Sequence, residues 1–72
     1  MKIDMKIETE KIYNKYDAGE IKDTDASYMI IDLLTENHPE TKTETDKLYN
    51  EYDAGGSSSD MLMNLMDIVE RF

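Results

Sequence analysis

Twelve residues of this chain occur twice. Glu8–Gly19 reads ETEKIYNKYDAG, and Glu44–Gly55 reads ETDKLYNEYDAG. Nine of the twelve positions are identical, and two of the rest, Glu10/Asp46 and Ile12/Leu48, are conservative. Only Lys15/Glu51 changes character. The spacing is 36 residues, so the chain reads as a duplicated unit. Each copy carries apolar and tyrosine positions at helical spacing and stops at a glycine. Each is then followed by a second, more apolar segment. The repeat therefore predicts two helical hairpins in tandem.

The first hairpin takes residues 8–36. Ile12, Tyr13 and Tyr16, with Thr9, fit one face of a helix. Gly19 supplies the stop, because glycine takes the left-handed position after a helix at no steric cost. Ile21 is placed to fold back on the helix end. Asp23 is an N-cap candidate for a second helix over about 24–36. Ala26, Met29, Ile30, Leu33 and Leu34 form its main apolar face, with Tyr28 and Ile31 pointing away from the core.

Asn37-His38-Pro39 breaks that helix, and Pro39 suits the first position of the next. The second hairpin takes residues 39–72. Its first helix carries Thr41, Thr45, Leu48, Tyr49 and Tyr52 on one face and ends at Gly55. Ser58 or Ser59 is the cap candidate for a final helix. That helix places Met61, Leu62, Leu65, Met66, Ile68, Val69 and Phe72 on its core face and leaves Met63 outside it. Residues 1–7 alternate in polarity and read as an N-terminal arm, or as a first turn of helix.

Neither hairpin hides its apolar face alone. The expectation is one all-α domain over 1–72, a compact four-helix arrangement with approximate two-fold symmetry. An intertwined homodimer is the alternative. At 72 residues the core is thin, and there is no cysteine to staple it. No signal peptide and no apolar run of membrane length is visible, which points to a cytoplasmic protein.

The formal net charge is −9. Residues 1–19 sum to zero, residues 20–38 to −4, residues 39–55 to −3 and residues 56–72 to −2. Such a chain repels nucleic-acid phosphates and anionic membranes and favours a basic partner. The candidate acidic face consists of Asp23, Asp25, Asp32 and Glu36 in the second helix, with Glu40, Glu44, Asp46, Glu51 and Asp53 around the third. Carboxylates spaced along helices imitate phosphates and fit a basic groove that holds DNA or RNA. In size and charge the chain is similar to small acidic phage proteins that disable restriction, CRISPR or transcription enzymes. The helix–AGEI–D–helix pattern also resembles the short helical hairpins appended to many bacterial proteins, over about a third of the chain.

No chemistry-bearing motif stands beside this. Aligning Gly19 with the invariant glycine of a calcium loop puts Asn14, Tyr16 and Ala18 at the first three ligand positions, two of them unsuitable. His38 is the only histidine and lies in a turn. No nucleophile–base set, phosphate loop or metal-ligand spacing appears. The expected function is therefore non-enzymatic, without cofactor or metal: binding, and inhibiting or regulating, another protein, with a nucleic-acid enzyme as the expected partner class. The alternative is an adaptor or homo-oligomerising regulator that binds through apolar residues on the second and fourth helices, Tyr28, Ile31 and Met63.

Overall fold

The computed structural model of the chain describes residues 3–72. Four α-helices follow in order: α1 (Met5–Asp17), α2 (Asp23–Asn37), α3 (Lys42–Asp53) and α4 (Ser58–Val69). A 3₁₀ turn, Pro39–Thr41, joins α2 to α3. Among the described residues there is no strand. The four-helix arrangement expected from the repeat is the one the chain adopts.

Helix α2 and helix α4 form the central interface. Ala26, Ile30 and Leu34 of α2 meet Leu62 and Leu65 of α4, and all five are fully buried. Helix α1 packs mainly on α2, and α3 mainly on α4. Each outer helix also touches the inner helix of the other hairpin, α1 on α4 and α3 on α2. Exchanging the two hairpins therefore returns the same pattern of contacts. The Cα envelope measures 36 × 30 × 16 Å, so the core is little more than one side-chain layer thick.

The repeat survives in space with one adjustment. In the outer helices the offset is 36: Met5, Thr9, Ile12 and Tyr16 correspond to Thr41, Thr45, Leu48 and Tyr52, all buried or half-buried. The second connection is one residue shorter than the first. In the inner helices the offset becomes 35, and the buried stripe Ala26, Ser27, Ile30, Leu34 corresponds to Met61, Leu62, Leu65, Val69.

Both glycine stops have the same hydrogen-bond geometry. Gly19 N–H donates to the Tyr16 carbonyl at 3.0 Å and Glu20 N–H to the Lys15 carbonyl at 2.9 Å. Gly55 and Gly56 repeat this on Tyr52 and Glu51, both at 3.0 Å. This is the Schellman closure, which satisfies carbonyls at the helix end. It requires positive φ at Gly19 (80°) and Gly55 (113°). Ile21 packs against the core as the sequence suggests.

Several local expectations are corrected. Residues 1–7 are not an arm as a whole. Asp4 caps α1, its carboxylate accepting from Lys6 N–H at 3.0 Å and Ile7 N–H at 3.2 Å. Met5 is 2% exposed, because it extends the Thr9–Ile12 stripe by one turn. Residues 1 and 2 of that predicted arm lie outside the described residues. Asp23 is the first residue of α2 rather than its cap. Lys22 holds the cap position, and Asp25 reaches back to accept from its N–H at 3.3 Å. The cap of α4 is Ser57, not Ser58 or Ser59. Helix α3 begins only at Lys42, after the 3₁₀ turn that Thr41 closes by donating to the His38 carbonyl at 2.8 Å.

Burial on α2 is rotated from the expected face. Ser27 is fully buried, and Ile31 is half-buried against the core rather than pointing away from it. Met29 is exposed and Leu33 only half-buried. The reason is that α2 must meet α4 and α3 as well as α1. Phe72 lies beyond α4 and is not core. Its ring stacks on His38 at 3.8 Å and 15° between planes. Arg71 pairs with Glu44 beside it.

Two stability predictions follow from this packing. A side chain at Gly19 would meet no atom within 4 Å, so its cost is conformational alone. Gly19→Val should lower unfolding free energy by at least about 1 kcal/mol, measured by urea denaturation. The Ser27 hydroxyl is buried with no hydrogen-bond partner among the described residues. Ser27→Ala should raise stability by about 1 kcal/mol in the same assay, because it removes the desolvated hydroxyl and favours helix.

Candidate partner-binding surface

The nine acidic residues singled out in the sequence do not form one face. Glu40 lies 3.5 Å from His38 Nδ1, Glu44 pairs with Arg71, and Asp46 pairs with Lys42 at 2.9 Å. Asp32 and Glu36 line a cleft of about 400 Å³ between α1 and α2. Glu8, Lys11 and Lys15 of α1 line the same cleft, and Lys11 pairs with Glu8 at 2.9 Å. Glu51 lines the corresponding α3–α4 cleft with Leu48 and Ile68. Asp23 is half-buried at the start of α2.

The remaining two, Asp25 and Asp53, come together around tyrosines. Tyr28 of α2 and Tyr49 of α3 have ring centroids 6.2 Å apart, tilted by 47°. Tyr49 in turn lies 6.4 Å from Tyr52. Tyr28 is 42% exposed and Tyr49 41%, so two large rings meet at the surface. Desolvation holds the Tyr28 phenol above its ordinary pKa of 10.0. The neighbouring phenols of Tyr49 and Tyr52 and the carboxylates of Asp53 and Asp25 add to that shift.

Local sequence explains the arrangement. Tyr28 has Asp25 three residues before it and Asp32 four after. Tyr49 has Asp46 and Asp53 at the same offsets. With a step of about 100° per residue, both positions lie about 40–60° to one side of the tyrosine. Each tyrosine therefore stands between the buried stripe of its helix and an outward acidic stripe. Packing α3 against α2 joins the two rings.

The surface thus combines residues that the sequence assigned to competing readings. Tyr28 belonged to the apolar set; Asp25 and Asp53 belonged to the acidic set. Met63 is exposed, as predicted, but on α4. Ile31 is withdrawn from the apolar set by its burial. Tyr49, expected on one face of α3 with Thr41, Thr45, Leu48 and Tyr52, is instead exposed, and its pairing with Tyr28 is a tertiary contact between segments of unrelated sequence. The Asp-x₂-Tyr-x₃-Asp spacing, present in both helices, was the available signal.

Chemically, such a surface offers π-faces beside carboxylates, a combination that attracts guanidinium and ammonium groups. Among the described residues no group of three or more His, Cys, Asp or Glu is placed to hold a metal ion. No described helix is long and apolar enough to cross a membrane. No protein-family model, curated protein or solved structure matches the chain.

The electrostatics of Tyr28 give a titration prediction. Its phenol should ionise above pH 10.0, seen as a 295 nm absorbance step that Tyr28→Phe removes. Asp25→Asn with Asp53→Asn should move that step to lower pH, since less negative charge opposes the phenolate. A raised phenol pKa favours the neutral form in the folded state. Its contribution to stability is therefore present below pH 10 and lost as pH rises through the folded-state value.

Proposed function

We propose that this chain is a small, acidic, non-enzymatic binding protein of the cytoplasm that inhibits or regulates another protein by docking on its basic surface. The observation that carries this reading is the Tyr28–Tyr49–Tyr52 cluster with Asp25 and Asp53 beside it. Tyrosines are rigid amphipathic anchors that are enriched where proteins bind one another. Their own flanking acids select a partner of opposite charge. The overall charge of −9 adds long-range steering toward such a partner and opposes nucleic acid and anionic membranes.

A nucleic-acid enzyme is the partner class that fits, because its phosphate-binding groove is basic. Carboxylates on helices then occupy the place of phosphates, in the manner of small acidic phage inhibitors. Asp32 and Glu36 are less central to this than the sequence suggested, because Lys11 and Lys15 share their cleft. A second copy of the chain is a poorer occupant of the tyrosine surface. Related by a two-fold axis, the same carboxylates would face each other across the interface.

The test is affinity capture from a bacterial lysate at low salt and at about 0.5 M salt, where the Debye length falls to a few ångströms. A nucleic-acid enzyme should be captured at low salt and released at high salt. Tyr28→Ala with Tyr49→Ala, or Asp25→Asn with Asp53→Asn, should lose it at low salt too. Capture that survives high salt, or capture of the chain's own copies alone, would replace this reading with an apolar adaptor or a homo-oligomer.

A further inference from the structure

The cleft between α1 and α2 has walls of opposite charge. Its α1 wall carries Lys11 and Lys15 with one acid, Glu8, and its α2 wall carries Asp32 and Glu36 with no base. Ile12, Met29 and Leu33 are its apolar residues. Ile12 is buried and Leu33 half-buried, but Met29 is 37% exposed. Ile7, four residues before Lys11 and so on the same side of α1, is 52% exposed. An open cleft of about 400 Å³ therefore combines exposed apolar surface with both signs of charge.

The charges on the two walls are not used up within the chain. Lys11 pairs with Glu8 on its own wall at 2.9 Å. Among the described residues, Lys15, Asp32 and Glu36 are in no ion pair, although all three line one cleft and all three are exposed. The corresponding α3–α4 cleft differs. There Glu51 stands in place of Lys15 and Asn64 in place of Met29. Its α3 wall has Glu44 and Glu51 with Lys47, and its α4 wall has Asp67, so both walls are acidic. Lys15/Glu51, the one position of the repeat that changes character, thus decides whether a cleft has a basic wall.

Opposed walls of opposite charge are self-complementary. A two-fold axis running along the cleft lays the α1 wall of one copy on the α2 wall of the other, and the reverse. A basic wall then faces an acidic wall twice, and the exposed Met29 side chains are covered. The α3–α4 cleft cannot do this, since the same operation sets acid on acid. We infer that the α1–α2 cleft is a self-association surface, occupied in solution by the same cleft of a second copy of this chain. The tyrosine cluster lies on the α3 side of α2 and does not line this cleft, so the inference goes beyond the proposed function and is independent of it. Its consequence for that function is that each assembly carries the tyrosine cluster twice.

The experiment is sedimentation equilibrium of the full chain up to about 1 mM in about 0.15 M salt, where a Debye length of about 8 Å damps repulsion between two chains of charge −9. The mass should rise from that of one chain to that of two. Lys11→Glu with Lys15→Glu makes both walls acidic, and Asp32→Lys with Glu36→Lys makes both basic. Each variant alone should associate at least about tenfold more weakly. An equimolar mixture of the two should recover the mass of two chains, because each basic wall again meets an acidic one. All four substituted residues are exposed, and recovery in the mixture shows that both variants fold. An unsubstituted chain that stays single up to about 1 mM, an association unchanged in either variant, or a mixture that stays unassociated would each overturn the inference and leave the proposed function standing.

Discussion

Everything in this fold depends on the contact between α2 and α4. Ile30, Leu34, Leu62 and Leu65 are the largest apolar side chains fully removed from water, and all four sit on these two helices. The outer helices have too few apolar residues to fold by themselves. Helix α3 contributes Thr45 as its one fully covered residue, with Leu48 and Tyr52 half-covered. Its place is secured by the inner pair, not by its own propensity. In a chain of this size most helix stability comes from such packing.

The same constraint explains where the two copies of the repeat differ. The outer helices are nearly identical because each only needs to lay one stripe across an inner pair. The inner helices need complementary shapes where they cross. Ala26 and Ser27 on α2 are small where Met61 and Leu62 on α4 are large. A duplicated sequence with identical inner helices would bring large against large or small against small. Unequal side-chain sizes at corresponding inner positions suit close packing between the two helices, whereas the identical YNxYDAG segments are mostly exposed.

The surface chemistry is a by-product of this geometry. A helix covered on one side leaves a boundary between apolar and charged stripes. Tyrosine suits that boundary because one end of it is apolar and the other polar. Where two helices meet side by side, their boundary residues meet as well. Tyr28 and Tyr49 join in this way across α2 and α3, with acids on the solvent side of each. Lys11 and Lys15 are directed elsewhere, into the α1–α2 cleft. Asp32 and Glu36 thus share a cleft with lysines, while Asp25 and Asp53 stand beside tyrosines.

Much was legible in the order of residues. Helix periods, the glycine stops at 19 and 55, the break at Pro39 and the duplication are local features, decided within a few residues by backbone sterics and hydrogen bonding. They settled the number and order of helices. Caps were read less well, because Asp4 and Ser57 compete with neighbouring Asp and Ser residues that offer the same chemistry. The rotation of α2 that buries Ser27 and Ile31, the one-residue change of offset between hairpins, and the pairing of Tyr28 with Tyr49 were decided only in three dimensions. Each depends on which helix lies against which. Residues 21 positions apart in sequence become neighbours only when two stripes are buried together.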